Sequence, residues 1–161
     1  MRPTNHARKR RGQIGNLPHR VEMKVFVYYV GRAKNLHSNA LAEEYLKRAS
    51  HYSICQMQEI RPDRADFWTK HPGAKKLLLD PAGKPFSSGD FAEAVGKAEM
   101  LGHDLVFVVG GHDGLPDEWR KRADVLVSLS SATLPHELAR AVLAEQIYRA
   151  FTILRGHPYP R

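Results

Sequence analysis

Residues 104–114 read DLVFVVGGHDG. The run 104–109 is apolar without alternation after its first residue, Asp104, and is bounded by turn residues. That pattern predicts a central strand covered on both faces, as in a parallel sheet. The glycine-rich turn 110–114 then falls at the strand's carboxyl end, the edge where open α/β sheets bind ligands. Working outward, residues 116–123 predict a short helix and 125–129 another strand. Residues 136–155 predict the longest helix, with Pro135 near its first turn and Gly156 and Pro158 at its stop. Towards the N-terminus, residues 23–30 (MKVFVYYV) read as a strand ending at Gly31, 36–52 as a helix, and 53–60 and 75–80 as strands. Residues 81–85 carry turn chemistry, and 87–102 a helix opened by a Ser/Asp cap, with Asp90 and Glu93 in capping-box spacing. Residues 63–74 are weakly patterned. The sum is an α/β domain whose mostly parallel sheet has five to six strands and helices on both faces.

The chain has 161 residues, 42% hydrophobic and 26% charged, which suits one domain with a packed core. No apolar stretch approaches the roughly 18 residues of a bilayer span. The single cysteine, Cys55, excludes an internal disulfide and Cys-rich zinc frameworks, and fits a cytoplasmic location. The net charge of +8 is uneven. Residues 1–22 hold six basic side chains against Glu22, and the remaining chain carries only +3. The first segment, broken by Pro3, Gly12, Gly15 and Pro18, predicts a mobile basic arm able to touch phosphates. The alternative is that translation starts at Met23. Residues 23–161 form the single domain in either case.

Two loops are candidates for binding. The glycine turn permits close backbone approach, although its spacing is neither G-x-G-x-x-G nor a P-loop. The hydroxyl-bearing run 128–133 (SLSSAT) offers backbone groups that suit an adenine edge; the alternative is that its Ser and Thr cap the last helix. Nine histidines invite a metal reading, but His136 opens HELAR without the second histidine of H-E-x-x-H, and no metal is assigned. No G-x-S-x-G elbow supports hydrolase chemistry. The last helix is apolar nearly all round, so it is either a central core helix or partly covered by a second copy of the chain.

The segments MKVFVYYVGRAK, DPAGKPFSS, FVVGGHDGL and LSSATLPHELARAVLAEQIYRAFTILRGHPY together resemble the RlmH family of the SPOUT superfamily. Its members N3-methylate a pseudouridine of large-subunit ribosomal RNA, and the resemblance covers residues 23–161. It implies an α/β fold with a C-terminal trefoil knot, a homodimer, and S-adenosylmethionine as cofactor. It also implies a target in helix 69 of 23S rRNA, on assembled ribosomes. By position it puts cofactor contacts on Leu79, Gly110, Leu129, Ser130, Ser131, Ala132, Thr133 and Leu134. The tail, Tyr159 and Arg161, would help build the active site across the dimer, with His136, His157 and Tyr159 as candidate proton acceptors. Arg140, Arg149 and Arg155 are candidate phosphate contacts. The chain departs from the family at Pro160, where a histidine is usual, in its short segment after the second strand, and in its arm before Met23. Two other readings follow from those departures and from the fold: a methyltransferase for another RNA nucleoside, or a ribosome-binding protein with weakened catalysis.

Overall fold

The computed structural model describes residues 22–159. The basic arm, apart from Glu22, therefore lies outside the described residues, as do Pro160 and Arg161. Five strands form one parallel sheet: β1 (Val25–Val30), β2 (Cys55–Ile60), β3 (Lys75–Pro85), β4 (Leu105–Val109) and β5 (Val125–Ser128), in the order β2-β1-β4-β3-β5. The connecting helices are α1 (Leu36–Ala49), α2 (Phe67–Lys70), α3 (Ser88–Leu101), α4 (Asp117–Arg122) and α5 (His136–Leu154). Every residue of β4 is buried, as expected for a strand with neighbours on both edges and helices on both faces.

Alternation along the strands divides the core in two. Val25, Val27, Leu77, Leu105, Phe107 and Val109 face α1, α3 and α5. Tyr28, Leu78, Val106 and Val108 face the opposite layer, where Phe67 of α2 and Trp119 of α4 meet edge to face, their rings 5.1 Å apart. The helix α5 lies against both α1 and α3, with Leu143, Ile147 and Phe151 fully buried. Within one chain α5 is thus a core helix on one side, while its Leu138, Ile153 and Leu154 remain exposed.

Local chemistry sets the element ends, with some differences from the pattern read above. α3 is capped by Ser87, whose hydroxyl accepts from Asp90 N–H while the Asp90 carboxylate accepts from Ser87 N–H. The capping box is thus Ser87 and Asp90; Glu93 pairs instead with Lys97, one turn on. Gly102 stops α3 in the left-handed conformation. Residues 81–85, read as a turn, continue β3: the register with β5 is broken between Leu79 and Lys84, and the strand then resumes opposite Val127 and Ser128. Gly83 makes this possible, since a Cβ there would lie 2.6 Å from the Leu126 carbonyl carbon. The weakly patterned 63–74 holds a one-turn 3-10 helix at Pro62–Arg64 and the four-residue α2.

Candidate active site

Three loops at the carboxyl edge of the sheet enclose a cavity of about 650 Å³. β3 contributes Leu79 and Asp80 where its register breaks, β4 runs into Gly110 and the glycine turn, and β5 runs into the 129–134 loop. The glycine turn is closed by Gly114 N–H donating to Gly111 O, with Gly114 at positive φ. Its tightness depends on Gly110, whose Cβ would meet the Gly114 carbonyl carbon at 2.9 Å. The 129–134 loop is folded by its own hydroxyls: Ser128 Oγ donates to Ser130 O, and Ser130 Oγ accepts from Ala132 N–H. These hydroxyls do not cap α5. Its N-cap is Pro135, without a side-chain bond, so the helix N-terminus opens beside the cavity, where Pro135 and His136 line the wall.

Eight positions expected to hold a cofactor, Leu79, Gly110 and Leu129 to Leu134, all line this one cavity, as does His136. His112, within the glycine turn, lines it too, and so does Asp80, which was not singled out by sequence. Asp80 is the residue directly after an apolar strand run, which was the available signal. One of its oxygens accepts from Ala82 N–H and the other pairs with Arg120 at 2.5 Å, so its charge is balanced from α4.

The remaining expected residues sit elsewhere. Tyr159 folds back on α5: its hydroxyl donates to Glu145 at 3.3 Å and its ring packs on Tyr148 at 4.6 Å. Burial of that phenol, with Tyr45 and Glu145 beside it, raises its pKa. Glu145 lies nine residues along α5 from His136, roughly 14 Å at the helical rise. His157, with its exposed ring, accepts from Tyr159 N–H at the same far end. Arg149 pairs with Glu145, and Arg155 is held by both oxygens of Glu99.

Arg140 is a correction to the phosphate-binding expectation, because its side chain is fully buried. Its guanidinium donates to Val30 O, Gly31 O and Asn39 Oδ1 and covers the Tyr29 ring at 4.0 Å. A cation with those commitments is not available to RNA. Among the described residues no three His, Cys, Asp or Glu side chains gather as a metal site, and no helix is long and apolar enough to cross a membrane.

Residues 23–160 match the family model described as Predicted SPOUT methyltransferase. In solved structures, a putative methylase family protein from Neisseria gonorrhoeae has a TM-score of 0.56 and 11% identity, covering 88% of this chain and 97% of that one. The SpoU methyltransferase AviRb from Streptomyces viridochromogenes, in complex with AdoMet, has a TM-score of 0.50 and 13% identity, covering 81% and 60%. These two show the fold. By sequence, Ribosomal RNA large subunit methyltransferase H of Solibacter usitatus is 63% identical over 139 residues, covering 86% of this chain and 100% of that protein. The chain belongs to the SPOUT methyltransferases, in the ribosomal RNA large subunit methyltransferase H family.

Proposed function

We propose that this chain, as a homodimer in the cytoplasm, methylates N3 of a pseudouridine in helix 69 of 23S rRNA on assembled ribosomes. S-adenosylmethionine is the methyl donor, held in the trefoil-knot arrangement that the family implies. The observation that carries the reading is the convergence of Leu79, Gly110 and the whole 129–134 loop on one cavity, in a chain 63% identical to an rRNA methyltransferase.

The cavity suits that cofactor. Its volume lies in the range of small-molecule sites. Leu79, Val109, Val127 and Leu134 give it apolar walls that suit a purine. Among the described residues the N–H groups of Ser131, Thr133 and Leu134 make no bond within the chain, leaving them for a polar ring edge. The uncapped N-terminus of α5 suits the carboxylate of the amino-acid end.

When bound, the sulfonium supplies an electrophilic methyl group, and the protein's task is alignment and proton removal. The uridine-type imide must give up its N3 proton as the N–CH3 bond forms. We assign that proton to His136, directly or through water, because that residue lines the cavity. Tyr159 is engaged with Glu145, beyond Ala139 where α5 last lines the cavity, which supports assigning its part to the pocket of a second copy.

The test is incubation with labelled S-adenosylmethionine and ribosomes lacking the modification, followed by mass spectrometry of rRNA fragments. Label on N3 of the helix 69 pseudouridine is the expected result. Label on another nucleoside, or ribosome binding without transfer, overturns the assignment.

A further inference from the structure

Glu137, in the first turn of α5, directs one carboxylate oxygen at a distant loop. Its Oε1 accepts from Lys34 N–H at 2.5 Å, Asn35 N–H at 2.9 Å and Asn39 Nδ2 at 3.1 Å. Arg140, one turn further on, approaches the same oxygen at 3.8 Å while donating to the carbonyls of Val30 and Gly31. From the other side the glycine turn presses on the same place: a Cβ on Gly111 would lie 3.1 Å from Val30 O. Gly31, Lys34 and Asn35 are therefore tied to the start of α5, and Val30 just before them abuts the glycine turn, so the segment adjoins both elements that line the cavity without itself lining it.

This segment carries two cations, Arg32 and Lys34. Both are exposed, and neither makes a salt bridge among the described residues. The backbone on either side of Arg32 is held, at Gly31 by Arg140 and at Lys34 and Asn35 by Glu137, while the two charges face solvent. A rigid loop with free cations binds a polyanion without first ordering its own backbone. The neighbouring strand ends alongside, with Val30 opposite Ile60, and adds Arg61, which is partly offset by Asp63 at 3.5 Å. The arginines of α5, by contrast, are buried or paired with carboxylates.

We infer that residues 31–35 form the RNA-facing rim of the cavity, with Arg32 and Lys34 binding phosphates of the substrate RNA and Glu137 acting as the positioning residue that holds them there. The inference rests on the RNA reading above and deepens it by naming the contact surface. Each phosphate contact to a single strand adds roughly 0.7 to the slope of log K against log salt.

The experiment measures anisotropy of a fluorescein-labelled RNA hairpin on the full chain from about 50 to about 200 mM KCl, with S-adenosylmethionine affinity measured in parallel by calorimetry. R32Q/K34Q should lower the salt slope by about 1.4 and weaken binding by about tenfold near 100 mM salt, with unchanged cofactor affinity. K47Q, a cation at the far end of α1, should behave as wild type. E137A should raise KM for ribosomes with kcat retained at saturation, and E137Q, which keeps an accepting oxygen, should recover most of the loss. Wild-type affinity and slope in R32Q/K34Q overturn the inference while leaving the RNA reading standing. A wild-type protein that binds the hairpin with no salt dependence overturns both.

Discussion

The backbone N–H of Lys34 and the carboxylate of Glu137 lie 2.5 Å apart although 103 positions separate them in the chain. Two backbone donors and an amide converge on that carboxylate, and it is shielded from water only in part. The backbone hydrogen bonds from Asn35 and Lys34 depress its pKa to about 2.

The sign of the resulting pH dependence is fixed by that direction. An unfolded glutamate titrates near 4.3, so the folded protein gains the stabilisation fully above that value and loses it as pH falls towards 2. Urea midpoints of the wild type should therefore fall more steeply than those of E137Q between about pH 4.5 and 2, whereas the two should run parallel from pH 6 to 8. Parallel acid limbs would show that Glu137 is not held as the ionised acceptor.

Arg140 tests the same junction from beneath. R140A removes a buried cation and leaves the Val30 and Gly31 carbonyls without their donor, a change expected to cost about 3–5 kcal/mol. R140K keeps the charge but not the forked geometry, and should recover only part of that loss. If Arg140 served RNA instead, R140A would melt like wild type and show a lower salt slope; thermal melts and the hairpin titration separate the two.

What the sequence revealed follows from how local each signal is. β4, its glycine turn and the long α5 were legible because their apolar runs and their Gly and Pro boundaries are contiguous. The cavity's loops were legible at the same positions, since strand ends in a parallel sheet share one edge. Arg140 was misread because a charged residue at a helix start resembles a phosphate contact. Its burial comes from carbonyls about 110 positions away in sequence. The continuation of β3 through 81–85 was hidden likewise, since it depends on Gly83 meeting the backbone of Leu126. α2 holds only four residues, too few for periodicity to register, although Phe67 is fully buried.

The two close-packed glycines should fail in different ways. At Gly83 a methyl group meets the β5 backbone at 2.6 Å, and backbone in a sheet does not yield easily. G83A should therefore destabilise the whole domain, by about 1–3 kcal/mol or more. At Gly110 the 2.9 Å contact lies within a surface turn that lines the cavity. G110A should melt nearer to wild type yet bind S-adenosylmethionine at least about tenfold more weakly, which is a loss of about 1.4 kcal/mol. G73A, with nothing within 4 Å of the added carbon, serves as the neutral control. Differential scanning calorimetry and titration of the cofactor distinguish these outcomes, and equal behaviour of G83A and G110A would refute the separation.

Tyr159 provides the sharpest test of the proposed dimer. Within one chain it sits beside Glu145 and Tyr148, with Glu145 roughly 9 Å along α5 from Ala139, the nearest residue of that helix lining the cavity. If the proposed dimer holds, a tail so placed enters the pocket of a second copy. Y159A and G110A should each be nearly inactive alone, one lacking the tail and the other the pocket. Unfolding and refolding the two together makes mixed dimers, in which one site receives an intact tail and an intact pocket while the other receives neither. With random pairing half the dimers are mixed and each has one complete site, so activity should recover to about a quarter of wild type. Methyl transfer to ribosomes, measured against the mixing ratio, should peak at equal amounts. No recovery, with mixed dimers demonstrated by native mass spectrometry, would place the tail's action within its own chain and would require Tyr159 to leave Glu145 and travel along α5 to its own cavity.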